Sequence, residues 1–216
     1  MIKKKATVIV STLCIFLPVL IGILLWDRLP EQIPNHWGID GQVDGWSSKE
    51  FAVFAQPCIL AAVHWLCIFA SSMDPKRKAH ESKMGTLVLW ISPMISLVMG
   101  SVSYTTAMGY ALLDISLIMC ILLGVMFVVL GNYLPKCRHN YTMGIRLPWT
   151  LADEANWNAT HRMAGWVWIL CGVLMIATAF LGNFWILPGI MVVAVLVPVV
   201  YSYCYYRKCG QKEKES

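Results

Sequence analysis

The amino-acid sequence predicts an all-α membrane protein with six transmembrane helices, both termini cytoplasmic, and a structured outer loop between helices 1 and 2. Three observations carry that reading. Apolar and aromatic residues fill 58% of the 216 positions and charged residues only 13%, whereas a soluble domain of this length carries about a quarter charged. Six apolar runs, 6–26, 51–71, 85–107, 111–134, 163–182 and 184–206, suit the about 20 residues a helix needs to cross ~30 Å of hydrocarbon. Of the 17 basic residues, all but Arg28 and Lys49 fall on one side of such a six-span path. They are Lys3, Lys4, Lys5, Lys76, Arg77, Lys78, Lys83, Lys136, Arg138, Arg146, Arg162, Arg207, Lys208, Lys212 and Lys214. Basic residues in short loops stay in the cytoplasm, which fixes the expected direction. The net charge of +5 is spread over four membrane-edge segments and forms no groove for nucleic acid.

The first run follows three lysines and so resembles a secretory signal. It is longer than the apolar part of a signal, and no small-x-small cleavage site follows Trp26, so it reads as a retained span. The outer loop, 27–50, comes next. Pro30 and Pro34 disfavour helix there, Asp40-Gly41 and Asp44-Gly45 are turn signals, and Trp37 and Trp46 suit the headgroup zone. A structured loop on the membrane surface is expected, with room for short strands. His36, Asp40 and Asp44 carry ligating atoms, but their spacing matches no metal pattern and they read as one histidine and two turn aspartates. No metal or cofactor is expected.

In the second span His64 lies near the middle, with Gln56 two turns earlier. An intramembrane ionisable group is a functional candidate. No acidic residue accompanies it at that depth, so it reads as a neutral histidine bonded to a neighbouring helix, with a Ser or Thr of span 3 as the expected partner. Asp74-Pro75 reads as an N-cap with proline at the first helical position, which starts the third helix before the membrane. Tight turns near Gly109 and Gly182-Asn183 make hairpins of helices 3–4 and 5–6. Asp114 sits where a helix N-terminus stabilises negative charge. Gly22, Gly100, Gly124 and Gly172 allow close helix packing, and Pro18, Pro57, Pro93 and Pro188 are the candidate kinks.

The inner loop, 135–162, is the most informative segment. Pro135 ends helix 4, Gly144 offers a turn and Pro148 fixes the approach to the next element. Thr150 with Asp153 reads as a capping box that starts a helix at Leu151. On that helix Trp157, His161 and Gly165 share one stripe, and Glu154, Asn158 and Arg162 a neighbouring one. With Trp149, Trp166 and Trp168 nearby, this pattern favours interfacial packing over a ligand site.

Of eight cysteines, six lie in spans and two, Cys137 and Cys209, on the inner side. No CxxC occurs, which argues against a disulfide framework or a zinc site. There is also no phosphate-binding glycine loop, HExxH, GxSxG or intramembrane carboxylate pair, so an enzyme is not expected.

Two motifs carry a resemblance. Gly131-Asn132-x-Leu134-Pro135-Lys136, then Met143-Gly144-Ile145-Arg146-x-Pro148-Trp149-Thr150-Leu151, then Trp157, Thr160-His161-Arg162 and Gly165, resemble the SdpI family of bacterial immunity proteins. Pro34-x-His36-Trp37, Gly41 and Asp44-Gly45 are similar to the short N-terminal domain of unknown function that often precedes it. On this reading residues 1–71 form an N-terminal helix pair with its extracytoplasmic loop, and 72–216 an SdpI-like four-helix membrane domain.

The resemblance implies a multipass protein of the cell membrane of a Gram-positive bacterium, resisting a secreted peptide toxin that collapses the proton gradient. It also implies an ArsR-type repressor held at the inner face. The expected partner-facing residues are Asn132, Pro135, Asn140, Gly144, Arg146, Pro148, Trp149, Trp157, His161 and Arg162. The expected toxin-facing residues are Pro34, His36, Trp37, Gly41, Asp44, Gly45 and Trp46. The competing readings are a small transporter or channel using His64 and Gln56, and a membrane enzyme with His139 or His161 as base. The second of these lacks a placed nucleophile or metal.

Overall fold

In a computed structural model, described over residues 2–38, 40–76, 83–110, 114–182 and 184–215, the chain is mostly helical. Among the described residues six helices are long and apolar enough to cross a membrane: Lys5–Leu24, Phe51–Met73, Gly85–Ala107, Ile115–Lys136, Glu154–Leu181 and Phe184–Lys208. Each of the six apolar runs thus corresponds to one of these helices. The fifth span begins well before its run, because its helix reaches back into the preceding loop. The chain forms two compact units, Met1–Ala70 with Gly85–Ser116, and Ser71–Met84 with Leu117–Ser216.

In the first unit the opening span is two helices, α1 (Ile2–Ile15) and α2 (Leu17–Leu24). Pro18 has no N–H, and its ring crowds the preceding turn. The Val19 N–H turns to the Phe16 carbonyl at 3.1 Å, which leaves the Ile15 carbonyl without its helical donor. Such a group has no water to turn to in hydrocarbon. Ser96 supplies the hydroxyl, at 2.7 Å. Tyr104 likewise donates to the Pro18 carbonyl at 3.2 Å, and Gly100 lies bare against the proline ring.

The next span, α3 (Gln56–Met73), is entered through one π-helical turn, Phe51–Ala55. That wide turn falls just ahead of Pro57, where the regular ladder is already missing a donor. Span 3 is α4 (Lys83–Ala107), with Pro93 inside it.

Between α2 and α3 stand two antiparallel strands, β1 (Gln32–Trp37) and β2 (Val43–Ser48). Pro34 lies opposite Trp46 and His36 opposite Gly45, with irregularities on both sides of His36. A two-stranded ribbon has only edges, which is why Pro34 is tolerated inside a strand. Ile33 is fully buried with Leu29, Ala52, Val53 and Tyr104.

Lys49 closes the base of this ribbon. Its ammonium donates to the carbonyls of Leu29 at 3.2 Å and Trp26 at 3.4 Å, pairs with Glu31 at 3.0 Å, and lies 4.9 Å from the Trp26 ring centre. At the tip Gly41 has φ +77°, and a Cβ there would reach within 2.7 Å of Ser116 Oγ. The tip therefore rests on the first turn of α5 (Ile115–Tyr133), where Asp114 accepts the Ser116 N–H at 2.8 Å.

The second unit holds the rest of α5, α6 (Pro148–Ala152), α7 (Glu154–Leu181) and α8 (Leu187–Glu215). α5 and α7 touch backbone to backbone at two levels. A Cβ on Gly124 would come within 2.6 Å of the Gly172 carbonyl, and one on Gly131 within 2.8 Å of the Gly165 carbonyl. Helices α7 and α8 run antiparallel across the αL cap at Gly182 (φ +65°).

Pro188 is in the first turn of α8, where proline is harmless, so it is no kink. Pro198 is the interior proline of that helix. The carbonyl that its missing N–H leaves open is that of Ala194, and the Trp168 indole donates to it at 3.0 Å.

Two further expectations change. The helix expected to start at Leu151 begins at Pro148, and Thr150 lies inside its first turn, accepting the Leu147 N–H at 2.9 Å. The chain then breaks at Asp153, whose extended backbone and carboxylate cap α7 through the Ala155 N–H at 2.8 Å. Proline suits the first helical position, so the helix can start ahead of Thr150. Asp74 caps the Lys76 N–H at 2.7 Å in a turn; the start of the third helix lies outside the described residues.

If Trp168 exists to satisfy the carbonyl opened by Pro198, Trp168→Phe lowers stability by about 1–3 kcal/mol. Pro198→Ala, which restores a backbone donor, recovers part of that loss in the double variant. Equal costs of Trp168→Phe with and without Pro198, in equilibrium unfolding in micelles, would contradict this pairing.

Candidate functional site

The segment between α5 and α7 is held open without regular structure, so each of its turns needs a side chain to satisfy the backbone. Pro135 ends α5 in a 3₁₀ turn, Leu134–Lys136. Asn140 is 2% exposed and builds the next bend. Its Oδ1 accepts the N–H groups of Thr142 at 2.9 Å and Met143 at 2.6 Å, while its Nδ2 donates to the Arg138 carbonyl at 2.7 Å. Gly144 follows at φ +100°, and any Cβ there would collide with the rings of His161 and Trp157.

Those two rings, one turn apart on α7, form the floor of the site. They stack with centres 4.0 Å apart, and both are buried. His161 Nδ1 lies 2.8 Å from the Trp157 carbonyl, and Nε2 accepts the Ile145 N–H at 3.0 Å. Both contacts are satisfied only by the neutral ring with its proton on Nδ1. Trp157 donates its indole N–H to the Cys137 carbonyl at 2.9 Å, and the His139 ring lies tilted with its centre 5.0 Å from that of Trp157. The loop is thus held at Cys137 and Ile145 by a single face of α7.

Thr150 donates to the Ile145 carbonyl at 2.9 Å or the Leu147 carbonyl at 3.0 Å. Trp149 reaches α8, donating to Ser202 Oγ at 2.9 Å and ringed by Tyr203 and Tyr206.

The expected partner-facing residues therefore divide. Asn140, Trp157 and His161 are buried framework and Trp149 is half-buried, while Asn132, Pro135, Gly144, Arg146, Pro148 and Arg162 are exposed. Arg146 donates to the Tyr141 carbonyl at 3.0 Å.

The residue missed by sequence reasoning is Asp74. It is 4% exposed, and its Oδ2 accepts the Tyr141 N–H and the Thr142 hydroxyl, each at 2.9 Å. Locally Asp-Pro looks like a helix cap, and nothing in that segment signals a loop so far along the chain. Asn156, Thr160 and Ser202 were also missed. They form a fully buried chain: Thr160 donates to Asn156 at 2.9 Å, and Asn156 to the Ser202 carbonyl at 3.1 Å.

On the β-ribbon, His36 Nδ1 meets Asp44 Oδ1 at 2.5 Å, both exposed. Asp40 turns instead to the Gln42 N–H at 3.1 Å. Among the described residues no three His, Cys, Asp or Glu side chains gather as a metal cage. Trp46 is 56% exposed, while Pro34 is buried and Trp37 half-buried. Gly45 has no room for a side chain beside His36. His64 is 2% exposed, and its Nε2 lies 3.2 Å from Ser11 Oγ. Its partner is therefore in the first span and not the third, because Ser11 is the hydroxyl fully buried on the face of α1 that meets it.

Comparison with known proteins places both motifs. The SdpI/YfhL protein family matches residues 136–202, from the end of α5 into α8. DUF1648, a domain of unknown function, matches 13–61, which contains the β-ribbon. Immunity protein SdpI of Bacillus subtilis (strain 168) is 29% identical over 205 residues, 93% of this chain and 96% of that protein.

Over residues 136–202 the chain is similar to the SdpI family.

No solved structure matches it. The geometry gives physical reasons for the SdpI-family motif. Gly131 and Gly165 are the backbone contact of α5 with α7, Pro135 ends α5, Gly144 clears the ring pair, and Trp157 and His161 hold the loop.

Two outcomes follow for this loop. Gly144→Ala combines left-handed strain of about 1–3 kcal/mol with displacement of His161, and hydrogen exchange should show the Ile145 amide losing protection. Burial pushes the Cys137 thiol above its ordinary 9.0, with the Asn140 hydrogen bond pulling partly back. A raised thiol stabilises the fold below its unfolded pKa and ceases to do so as pH climbs through the folded one. The loop therefore keeps this contribution at neutral pH and loses it in the alkaline range. In a chain whose sole cysteine is Cys137, maleimide labelling at neutral pH should run at least about tenfold slower than in the unfolded chain; equal rates would refute the buried thiol.

Proposed function

We propose that this chain is a multipass cell-membrane immunity and signalling protein of a Gram-positive bacterium. It protects the cell against a secreted, membrane-active peptide toxin. It acts by binding and not by catalysis. The observation that carries this reading is the near full-length match to a protein named for immunity. The distribution of basic residues supports a β-ribbon outside and the loop 135–162 inside.

The ribbon suits recognition. It is rigidly based on Lys49, yet it presents Trp46 and the His36–Asp44 pair to the surroundings. An exposed tryptophan beside a hydrogen-bonded polar pair is the composition of a binding hot spot at a membrane surface. The inner loop suits a second partner, an ArsR-type repressor by family resemblance. Its framework residues fix the backbone, while Arg146 and Arg162 are left for carboxylates. His64 gives the transport reading no foothold, because its ring is closed against Ser11.

The test is survival of a sensitive host expressing the protein, challenged with a panel of secreted peptide toxins while membrane potential is recorded. Protection is expected, and Trp46→Ala with Asp44→Ala should remove most of it without reducing insertion. Arg146→Ala should leave protection intact and weaken recruitment of the cytoplasmic partner. Unchanged protection in the ribbon variant refutes recognition by the ribbon, and unchanged recruitment in Arg146→Ala refutes the role given to the loop.

A further inference from the structure

Two cations beside Tyr141 have an arrangement that toxin recognition does not use. Lys76 follows the end of α3, and Arg146 lies in the loop before α6. Both converge on Tyr141. The Lys76 ammonium is 5.4 Å from the centre of the Tyr141 ring and 2.9 Å from His139 Nδ1. The Arg146 guanidinium is 3.0 Å from the Tyr141 carbonyl. Tyr141 itself is 47% exposed, and its N–H is pinned by Asp74.

Long basic side chains on a bare surface lose rotamer entropy when held in one place, and normally a carboxylate repays it. Here the holders are a neutral imidazole nitrogen and a carbonyl oxygen. Among the described residues neither cation has a carboxylate within ion-pair distance of its charged end. Asp74 lies in the same turn as Lys76, and both its oxygens already accept from the Lys76 N–H, the Tyr141 N–H and the Thr142 hydroxyl. Two fixed cations beside an exposed phenol therefore face outward, with unused N–H donors on each. The spot lies just past the end of α3, in which the second apolar span ends at Met73.

We infer that Lys76, Arg146 and Tyr141 form a binding site for a phosphate group. A guanidinium fork and a point-charge ammonium are the usual pair for a phosphate oxygen set, and the phenol adds a third donor. The phosphate is carried either by an anionic phospholipid headgroup or by a soluble phosphate. The site does not depend on the toxin reading, and it shares Arg146 with the contact proposed for a cytoplasmic partner.

The test uses the full chain in phosphatidylcholine nanodiscs doped with phosphatidylglycerol. Native mass spectrometry counts retained phosphatidylglycerol, and hydrogen exchange follows residues 141–146 as inorganic phosphate is added. Lys76→Gln with Arg146→Gln should cut phosphatidylglycerol retention by about tenfold or more. Arg207→Gln, a basic residue outside the site, should change it less than about twofold. That result supports the site with a lipid headgroup as its source. A phosphate-induced protection of 141–146 that the double variant loses, without selective lipid retention, supports the same site with a soluble source. If the double variant retains the lipid as the unmodified chain does, and phosphate protects 141–146 in neither or equally in both, the inference is overturned. A monodisperse double variant with unchanged exchange in α7 excludes misfolding, and Tyr141→Phe gives a milder, independent loss.

Discussion

The constraint on which the rest depends is that a backbone carbonyl or N–H has no water to bond inside a bilayer. Two breaks in the helices are each matched by a side chain that repairs the gap. Pro18 opens the Ile15 carbonyl and Ser96 closes it. Pro198 opens that of Ala194 and Trp168 closes it. The same rule governs the two long connections. Lys49 serves the carbonyls at the end of the first span, and Asn140, Asp74, Thr150 and His161 serve a loop that has no ladder of its own. Polar residues in and near the membrane are few, and most of them are occupied in this way. That is why His161, which looks like a catalytic base in isolation, is a framework residue.

The spans, the ribbon's turn residues and the family motif were legible in the sequence because each is written locally. Apolar runs announce helices, Asp40-Gly41 announces the ribbon's turn and Gly144 marks a bend, whereas Asp44-Gly45, which reads the same way, lies inside β2 and pairs with His36. Partnerships were less legible. Ser11 for His64, Asp74 for the 140–142 bend, and Asn156 with Ser202 each join segments distant in the chain, and a hydroxyl or an amide gives no directional signal in sequence. Thr150 misled for a related reason. It satisfies the pattern of a cap, but Pro148 two residues earlier is the better helix start, and the true cap is Asp153. Pro198 was passed over because a proline in a long apolar run gives no warning until one asks which carbonyl it strands.

The motif residues of the loop fall into two physical kinds that sequence alone does not separate. Asn140, Trp157 and His161 are buried and committed to the chain's own backbone, so changing them alters shape. Arg146 and Arg162 are exposed, so changing them alters what the shape presents. A functional phenotype at His161 therefore reports on the form of the loop, whereas one at Arg146 reports on contact with something else.

The paired glycines of α5 and α7 have a consequence of their own. Gly124 meets Gly172, and Gly131 meets Gly165, with the same interval of seven on each helix. Two coincident contacts fix the register as teeth fix a gear. An insertion or deletion between the glycines of one helix would bring a side chain onto bare backbone unless the other helix changed by the same length. Length variation among related chains should therefore be confined to the connections and excluded from this stretch, and α7 can tilt against α5 but cannot slide along it.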